Sequence, residues 1–390
     1  MTPQREPELT DAEARHGALM HEHLAREIAA AGGWMSFERY MEMALYAPGL
    51  GYYSAGAHKL GAGGDFTTAP EISGLFGACV ARQCAEVLRH LRGASILEIG
   101  AGSGRLAADI LARLEALGQL PDHYWILDVS ADLRERQRRH LEERLPHLIG
   151  RVGWLNQPPQ TPFDGLIIAN EVLDALPVAR FRWHGGHALE LGVVIEQDRF
   201  MGRSGPVRPA VAEACRRAAA QGAWEDGYES ECCPRLAAWT HSVTHALRTG
   251  AALWFDYGLP RSQYYLPERR EGTLLCHFRQ RAHADPFLYP GLQDITAWVD
   301  YTSLAEASRR AGFTLAGFTT QSYFLAGLGI DQEMRVMAGE DAARFARLAH
   351  EARRLMLPGE MGESFKAMAW LRGLDAPLSG FSLQDLRHTL

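Results

Sequence analysis

Apolar positions along the chain change period several times. From His16 to Ala31 they recur at helical spacing and stop at Gly32 and Gly33. A second, short helix is predicted from Ser36, a candidate N-cap, to Ala44. Between Gly49 and Ser73 neither the helical nor the strand period holds. That stretch carries Gly49, Gly51, Gly56, Gly61, Gly63, Gly64 and Pro70, and a loop this long inside a folded chain is usually functional. Tyr52, Tyr53 and Phe66 argue for its being ordered, and the segment from Gly56 to Ser73 is expected to close over a ligand. Helical spacing resumes from about Ile72 to Leu91, with Gly74 and Gly77 placed for close packing.

From Ala94 short apolar runs alternate with helical segments. Ser95 to Gly100 reads as a buried strand, and a glycine-rich turn and a helix from Arg105 to Leu117 follow. Tyr124 to Asp128 is a strand, Ala131 to Leu145 a helix, and Val152 to Leu155 and Gly165 to Ala169 are two more strands. Such alternation predicts a doubly wound parallel sheet whose strand C-termini line one ligand edge. The pattern then breaks. Ala188 to Arg199 alternates like a hairpin, and helices are predicted near 208–221 and 234–248. Ala251 to Asp256 returns to the buried-strand pattern. A helix near 301–311, a strand pair from Thr314 to Gln321 and one long amphipathic helix from Glu333 to Leu357 complete the expectation.

The net charge of −7 over 390 residues excludes a generally basic nucleic-acid binder. No apolar run approaches the ~18 residues of a membrane helix. Glu6, Glu8, Asp11 and Glu13 oppose a signal or transit peptide. The six cysteines form no C-x-x-C pair, and no H-E-x-x-H is present, so no metal site is expected. Together these features predict a protein of a reducing compartment, the cytoplasm.

Candidate chemistry collects at three strand ends. Glu98, Gly100, Gly102 and Gly104 form an acid-and-glycine turn before a helix. Glycines there let the main chain approach a ligand. A dinucleotide frame, G-x-G-x-x-A from Gly102 to Ala107, is available, but it would leave Glu98 inside the strand, where a charge is costly. The acid's position favours S-adenosylmethionine. Asp128, at the next strand end, suits ribose hydroxyls in either cofactor class; a plain structural turn, with Asp128 as a helix cap, is the alternative. Asn170, Glu171 and Asp174 follow the strand ending at Ala169. If a helix starts there, Glu171 and Asp174 share a face and can grip a guanidinium, or they merely complement the helix dipole.

Beyond these motifs the sequence resembles the MidA-like methyltransferases, whose mitochondrial members assist assembly of respiratory complex I. The resemblance rests on Gly51 to Tyr53, Gly64 to Ser73 with Phe76 and Gly77, Leu97 to Gly104, Ala169 to Val178, Asp256 to Gly258, Gly272 to Leu274, Asp294 to Thr296, Val299 to Tyr301 and Met361 to Phe365. It implies a class I methyltransferase fold: a Rossmann-like, doubly wound α/β sheet with an N-terminal helical cap and a large insertion between the fourth and fifth core strands. The corresponding segments are a cap with a cofactor-covering loop over 1–92, a core over 93–177 and 251–330, an insertion over 178–250, and a C-terminal helix and tail over 331–390.

The resemblance further implies S-adenosyl-L-methionine as cofactor, bordered by Asp65, Phe66, Thr67 and Pro70, floored by Glu98, Gly100 and Gly102, with Asp128 on the ribose. Asn170, Glu171 and Asp174 would face the acceptor. The implied activity is methylation of an arginine on a complex I subunit or similar protein, without nucleic acid or membrane insertion. Ala101 and Ser103 depart from the mitochondrial branch, which favours Pro and Arg there, and Trp298 stands where relatives often carry His. A small-molecule methyltransferase, a cofactor-binding assembly factor without turnover and a nucleotide-dependent oxidoreductase are the competing functions.

Overall fold

The computed structural model describes residues 9–55, 68–220 and 223–390. The chain divides into two compact units. One holds Lys59–Leu176, Arg235–Leu266 and Trp298–Leu390; the other holds Met1–His58, Pro177–Pro234 and Pro267–Ala297.

The first unit is built on a sheet of β1 (Ser95–Ile99), β2 (His123–Leu127), β3 (Val152–Leu155), β4 (Phe163–Asn170), β5 (Leu247–Leu259), β6 (Thr314–Thr320) and β7 (Phe365–Arg372). Their spatial order is β3-β2-β1-β4-β5-β7-β6, with the two residues Val299–Asp300 also pairing to the end of β5. The pairs β1–β2, β2–β3, β1–β4 and β4–β5 are parallel, and β7 is antiparallel to both β5 and β6. The antiparallel insertion of β7 departs from the all-parallel dinucleotide order. All five residues of β1 are buried, as fits a central strand covered on both faces.

Ahead of β1 lie α1 (Ala69–Ile72) and α2 (Gly74–Leu88); α3 (Arg105–Ala116) follows β1, α4 (Ala131–Arg144) follows β2, and α5 (Tyr301–Arg310) precedes β6. Ser73, Ser130 and Asp300 cap α2, α4 and α5 through side-chain oxygens. The sequence placed Gly77 for close packing, and a Cβ there would lie 2.6 Å from Asp109 Cβ on α3.

Two expectations for the C-terminal part are corrected. The strand pair at Thr314 to Gln321 is one strand, β6, whose partner is β7. The 331–390 segment is therefore no tail: it supplies a strand between β5 and β6. The long helix from Glu333 to Leu357 is two helices, Ile330–Ala338 and Ala342–Met356, separated at Gly339 and restarted by an Asp341 cap. Apolar spacing continues across the break, so the period alone conceals it.

In the other unit, Met35–Ser36, His187–Glu196, Ala179–His184 and Glu229–Cys232 form an antiparallel sheet in that order, with Arg199–Gly205 added to His187–Glu196. The hairpin expected within Ala188 to Arg199 is corrected: Ala188–Glu196 lies in a single strand, the turn falls at Gln197 and Asp198, which both have positive φ, and the second strand is Arg199–Gly205. A capping box between Thr10 and Glu13 starts helix Asp11–Ala30, and Ser36 caps Phe37–Tyr46. The 178–250 insertion is not one body: Pro209–Ala219 belongs to this unit, whereas Leu236–Thr244 falls in the unit built on β1 to β7, and residues 267–297, expected in the core, belong to this unit instead.

Candidate active site

The three strand ends picked out in the sequence are neighbours in the sheet, because β2, β1 and β4 are adjacent. Their C-termini share one edge, where doubly wound sheets bind ligands.

At the end of β1, the turn runs through Gly100, Gly102 and Gly104 with φ of +65°, +53° and +84°. Side chains rarely adopt that region, and a Cβ on Gly100 would also lie 2.9 Å from Val172 Cγ2. Gly104 is the N-cap of α3, so the turn delivers the chain into a helix N-terminus. Glu98 lies one residue before the end of β1 and only 2 % of it is exposed. It is therefore inside the strand, the placement the sequence argument had reserved for a dinucleotide site. Its charge is managed within the protein: the Tyr124 hydroxyl donates to Glu98 Oε2 at 2.7 Å. Burial, reinforced by the Asp128 charge, raises its pKa to about 7 against that bond.

Asp128 stands just beyond β2. Its Oδ1 accepts the Ser130 N–H at 2.9 Å and its Oδ2 the Gln137 amide at 2.9 Å. Burial raises its pKa while both bonds oppose the rise. The carboxylate retains lone pairs for ligand hydroxyls, and the next side chain, Val129, is 68 % exposed. Gln137 was not recognised in the sequence, where it sits in the charged run of α4. It is fully buried. Its amide also donates to the Gly102 carbonyl at 3.0 Å, and its oxygen accepts the Trp154 indole N–H at 3.2 Å. One side chain thus ties the glycine turn, Asp128 and β3 together.

The end of β4 is not a helix start. Glu171 has φ +52°, a conformation that costs on the order of 1 kcal/mol or more for a non-glycine residue, and residues 171–178 contain no helix. Glu171 and Asp174 consequently do not share a helical face, and the dipole reading is removed. What holds the segment is Asp256 on β5, fully buried. Its Oδ2 accepts the backbone N–H of Val172, Leu173 and Asp174 at 3.2, 2.9 and 3.2 Å, and its Oδ1 that of Tyr257 at 2.9 Å. These bonds hold the ionised form, while burial and the charges of Asp174 and Glu171 push its pKa up.

Asn170 donates its amide to Glu171 Oε1 at 3.2 Å, and the Ala69 N–H reaches the same oxygen at 3.4 Å. Asp174 is 5 % exposed; Tyr257 donates its hydroxyl to Oδ2, and burial raises the carboxyl pKa to about 6. At this strand end two buried acceptors, Asn170 Oδ1 and Asp174 Oδ1, have no hydrogen-bond partner among the described residues.

Helix α1 bridges these features. Ala69 binds Glu171, and Glu71 accepts the Ser103 hydroxyl and pairs with Arg105 at 3.3 Å. Pro70 is buried between those anchors. Asp65, Phe66 and Thr67 lie outside the described residues.

The turn, its helix N-terminus and Asp128 fit a nucleoside-bearing ligand, and comparison with known proteins decides which. Residues 79–319 match the family model described as "Putative S-adenosyl-L-methionine-dependent methyltransferase". The chain belongs to this methyltransferase family. A crystal structure of a Burkholderia thailandensis protein bound to S-adenosyl-homocysteine superposes with a TM-score of 0.94 at 41 % identity, covering 99 % of this chain and 100 % of that one. The mitochondrial protein arginine methyltransferase NDUFAF7 of Danio rerio is 30 % identical over 375 residues, 88 % of this chain and 85 % of that protein. The Bos taurus protein of the same name is 29 % identical over 391 residues, 90 % and 82 % of the two chains. The methyltransferase therefore has the class I fold and uses S-adenosyl-L-methionine, and the dinucleotide alternative is set aside.

Proposed function

We propose that this methyltransferase transfers a methyl group to an arginine side chain of a protein, a respiratory complex I subunit or a protein like it. The observation that carries the proposal is the pair of buried, unpartnered acceptor oxygens, Asn170 Oδ1 and Asp174 Oδ1, flanked by the Glu171 and Asp256 carboxylates. A buried acceptor without a donor is unfavourable, and an N–H-rich cation satisfies both acceptors while offsetting the negative charge. The name borne by the two vertebrate relatives supports the same acceptor.

In this reading Gly100, Gly102 and Asp128 hold the donor, with Glu98 and Tyr124 supporting the floor from within the sheet. Asp65, Phe66, Thr67 and Pro70 complete the border. S-adenosylmethionine supplies an electrophilic methyl on a sulfonium. A guanidinium has a pKa above ~12 and is not stripped of its proton beforehand. Asn170, Glu171 and Asp174 orient it and balance its charge, and alignment of nitrogen with methyl supplies much of the rate. The nitrogen lone pair forms the new N–C bond as the C–S pair withdraws to sulfur. The proton lost from nitrogen passes to Asp174 Oδ1, whose carboxyl pKa burial raises to about 6.

The test is transfer of labelled methyl from S-adenosylmethionine into a lysate of a strain lacking the gene, followed by size separation and amino-acid analysis. Label in a protein band, recovered as methylarginine, is the expected result. Label only in small molecules, or on another residue, rejects the proposal.

A further inference from the structure

Asp174 reaches the acceptor edge with one oxygen already in use. The residue that takes it, Tyr257, directly follows the residue that fixes the Asp174 main chain. Asp256 and Tyr257 thus divide the work: the carboxylate of one accepts the N–H groups of Val172 to Asp174, and the hydroxyl of the other donates to the Asp174 side chain. The Tyr257 ring is itself held. Phe365, its register partner on β7, meets it edge-on at 5.3 Å, and Trp298 does so at 6.5 Å.

We propose that Tyr257 is a positioning residue for the acceptor site: by occupying Oδ2 of Asp174 it presents Oδ1 alone, in one orientation, to an N–H of the incoming group. The proposal deepens the arginine reading and rests on it for the identity of that group. A carboxylate with both oxygens free can rotate and offer either one, whereas a hydroxyl bond on one oxygen, from a ring wedged between two others, removes that freedom.

The same bond bears on when Asp174 is charged. The groups facing it are the Asp256 carboxylate on β5, against which Glu171 also lies, and the Tyr301 hydroxyl of α5, which donates to the Asp256 carbonyl at 2.9 Å. Lys366, opposite Asp256 on β7, turns its ammonium to the carbonyls of Glu363 and Ser364. Burial opposes ionisation of Asp174 and repulsion between it and the Asp256 carboxylate adds to this, while the Tyr257 hydroxyl and the backbone N–H groups of Ala175 and Asp174 favour it.

The test uses the full-length protein saturated with S-adenosyl-homocysteine and carrying 13C-labelled aspartate carboxyls. The Asp174 resonance is assigned by its disappearance in Asp174→Asn. In Tyr257→Phe its titration midpoint should rise by about one pH unit, with S-adenosyl-homocysteine affinity within twofold of wild type. Methylguanidine should shift the wild-type resonance and require at least about tenfold more ligand in Tyr257→Phe. Phe365→Leu, which loosens the ring and leaves the hydroxyl, should move the midpoint in the same direction by less, and it serves if Tyr257→Phe fails to fold. A midpoint unmoved in whichever of the two variants folds overturns the role of Tyr257. A midpoint that moves while methylguanidine leaves the resonance untouched sustains Tyr257 and rejects the guanidine acceptor.

Discussion

The Gln137 side-chain amide lies 2.9 Å from Oδ2 of Asp128 and 3.0 Å from the carbonyl of Gly102, and donates to both. Two motifs from different strand ends are thereby joined by one buried amide. Gln137→Leu removes both donors and leaves two acceptors and the Trp154 indole N–H without it. S-adenosyl-homocysteine affinity should fall by about 1–3 kcal/mol, read by calorimetry. Unchanged affinity in a folded variant would make Gln137 a packing residue only.

Gly100 combines a left-handed main chain with a tight approach to Val172. Gly100→Ala should therefore lower stability by about 1–2 kcal/mol as well as weaken cofactor binding. Melting with and without S-adenosyl-homocysteine separates the effects: Tm of the free protein should drop, and the ligand-induced rise should shrink. A wild-type rise in Gly100→Val would show that the turn does not border the cofactor.

Glu98 makes stability depend on pH. Its folded pKa, about 7, lies above the ordinary carboxyl value because burial disfavours the charge. An acid raised in this way favours the folded state most at low pH, and the contribution is lost as pH climbs from the ordinary value through about 7. Glu98→Gln keeps a partner for Tyr124 and carries no charge. It should be more stable than wild type by up to about 3 kcal/mol above neutrality and should lose that advantage toward pH 4.5. Urea unfolding of the pair across that range checks the sign; a constant difference defeats it.

The contact between α2 and α3 leaves no room for a methyl group at Gly77, whose Cβ would sit 2.6 Å from Asp109 Cβ. Gly77→Ala should force the helices apart and cost about 1–3 kcal/mol, although alanine is the better helix former. Thermal unfolding that shows a gain in stability would overturn this.

The legible parts of the molecule were those encoded locally. The glycine turn, its flanking strand and helix, the Asp128 strand end and the cap at Ser36 each lie within a few consecutive residues. The parts that stayed hidden depend on distant residues meeting. Gln137 reads as one polar residue in a charged helix, and only the fold turns it inward. Asp256 clamps residues more than eighty positions earlier, and nothing near Glu171 announces the positive φ that this clamp sustains. The six consecutive buried residues of β7 erase the alternation that marks a strand.

The position of β7 has a consequence for the order in which the molecule is made. More than one hundred residues of chain are translated between the end of β5 and the start of β7, yet β7 is the direct neighbour of both β5 and β6. A nascent chain that has emerged as far as β6 carries two strands whose main-chain donors and acceptors on the β7 side have no partner. Exposed edges of that kind pair readily with other chains. Until residues 365–372 leave the ribosome, the methyltransferase sheet has an open seam, and this is the interval in which a newly made molecule most needs shielding.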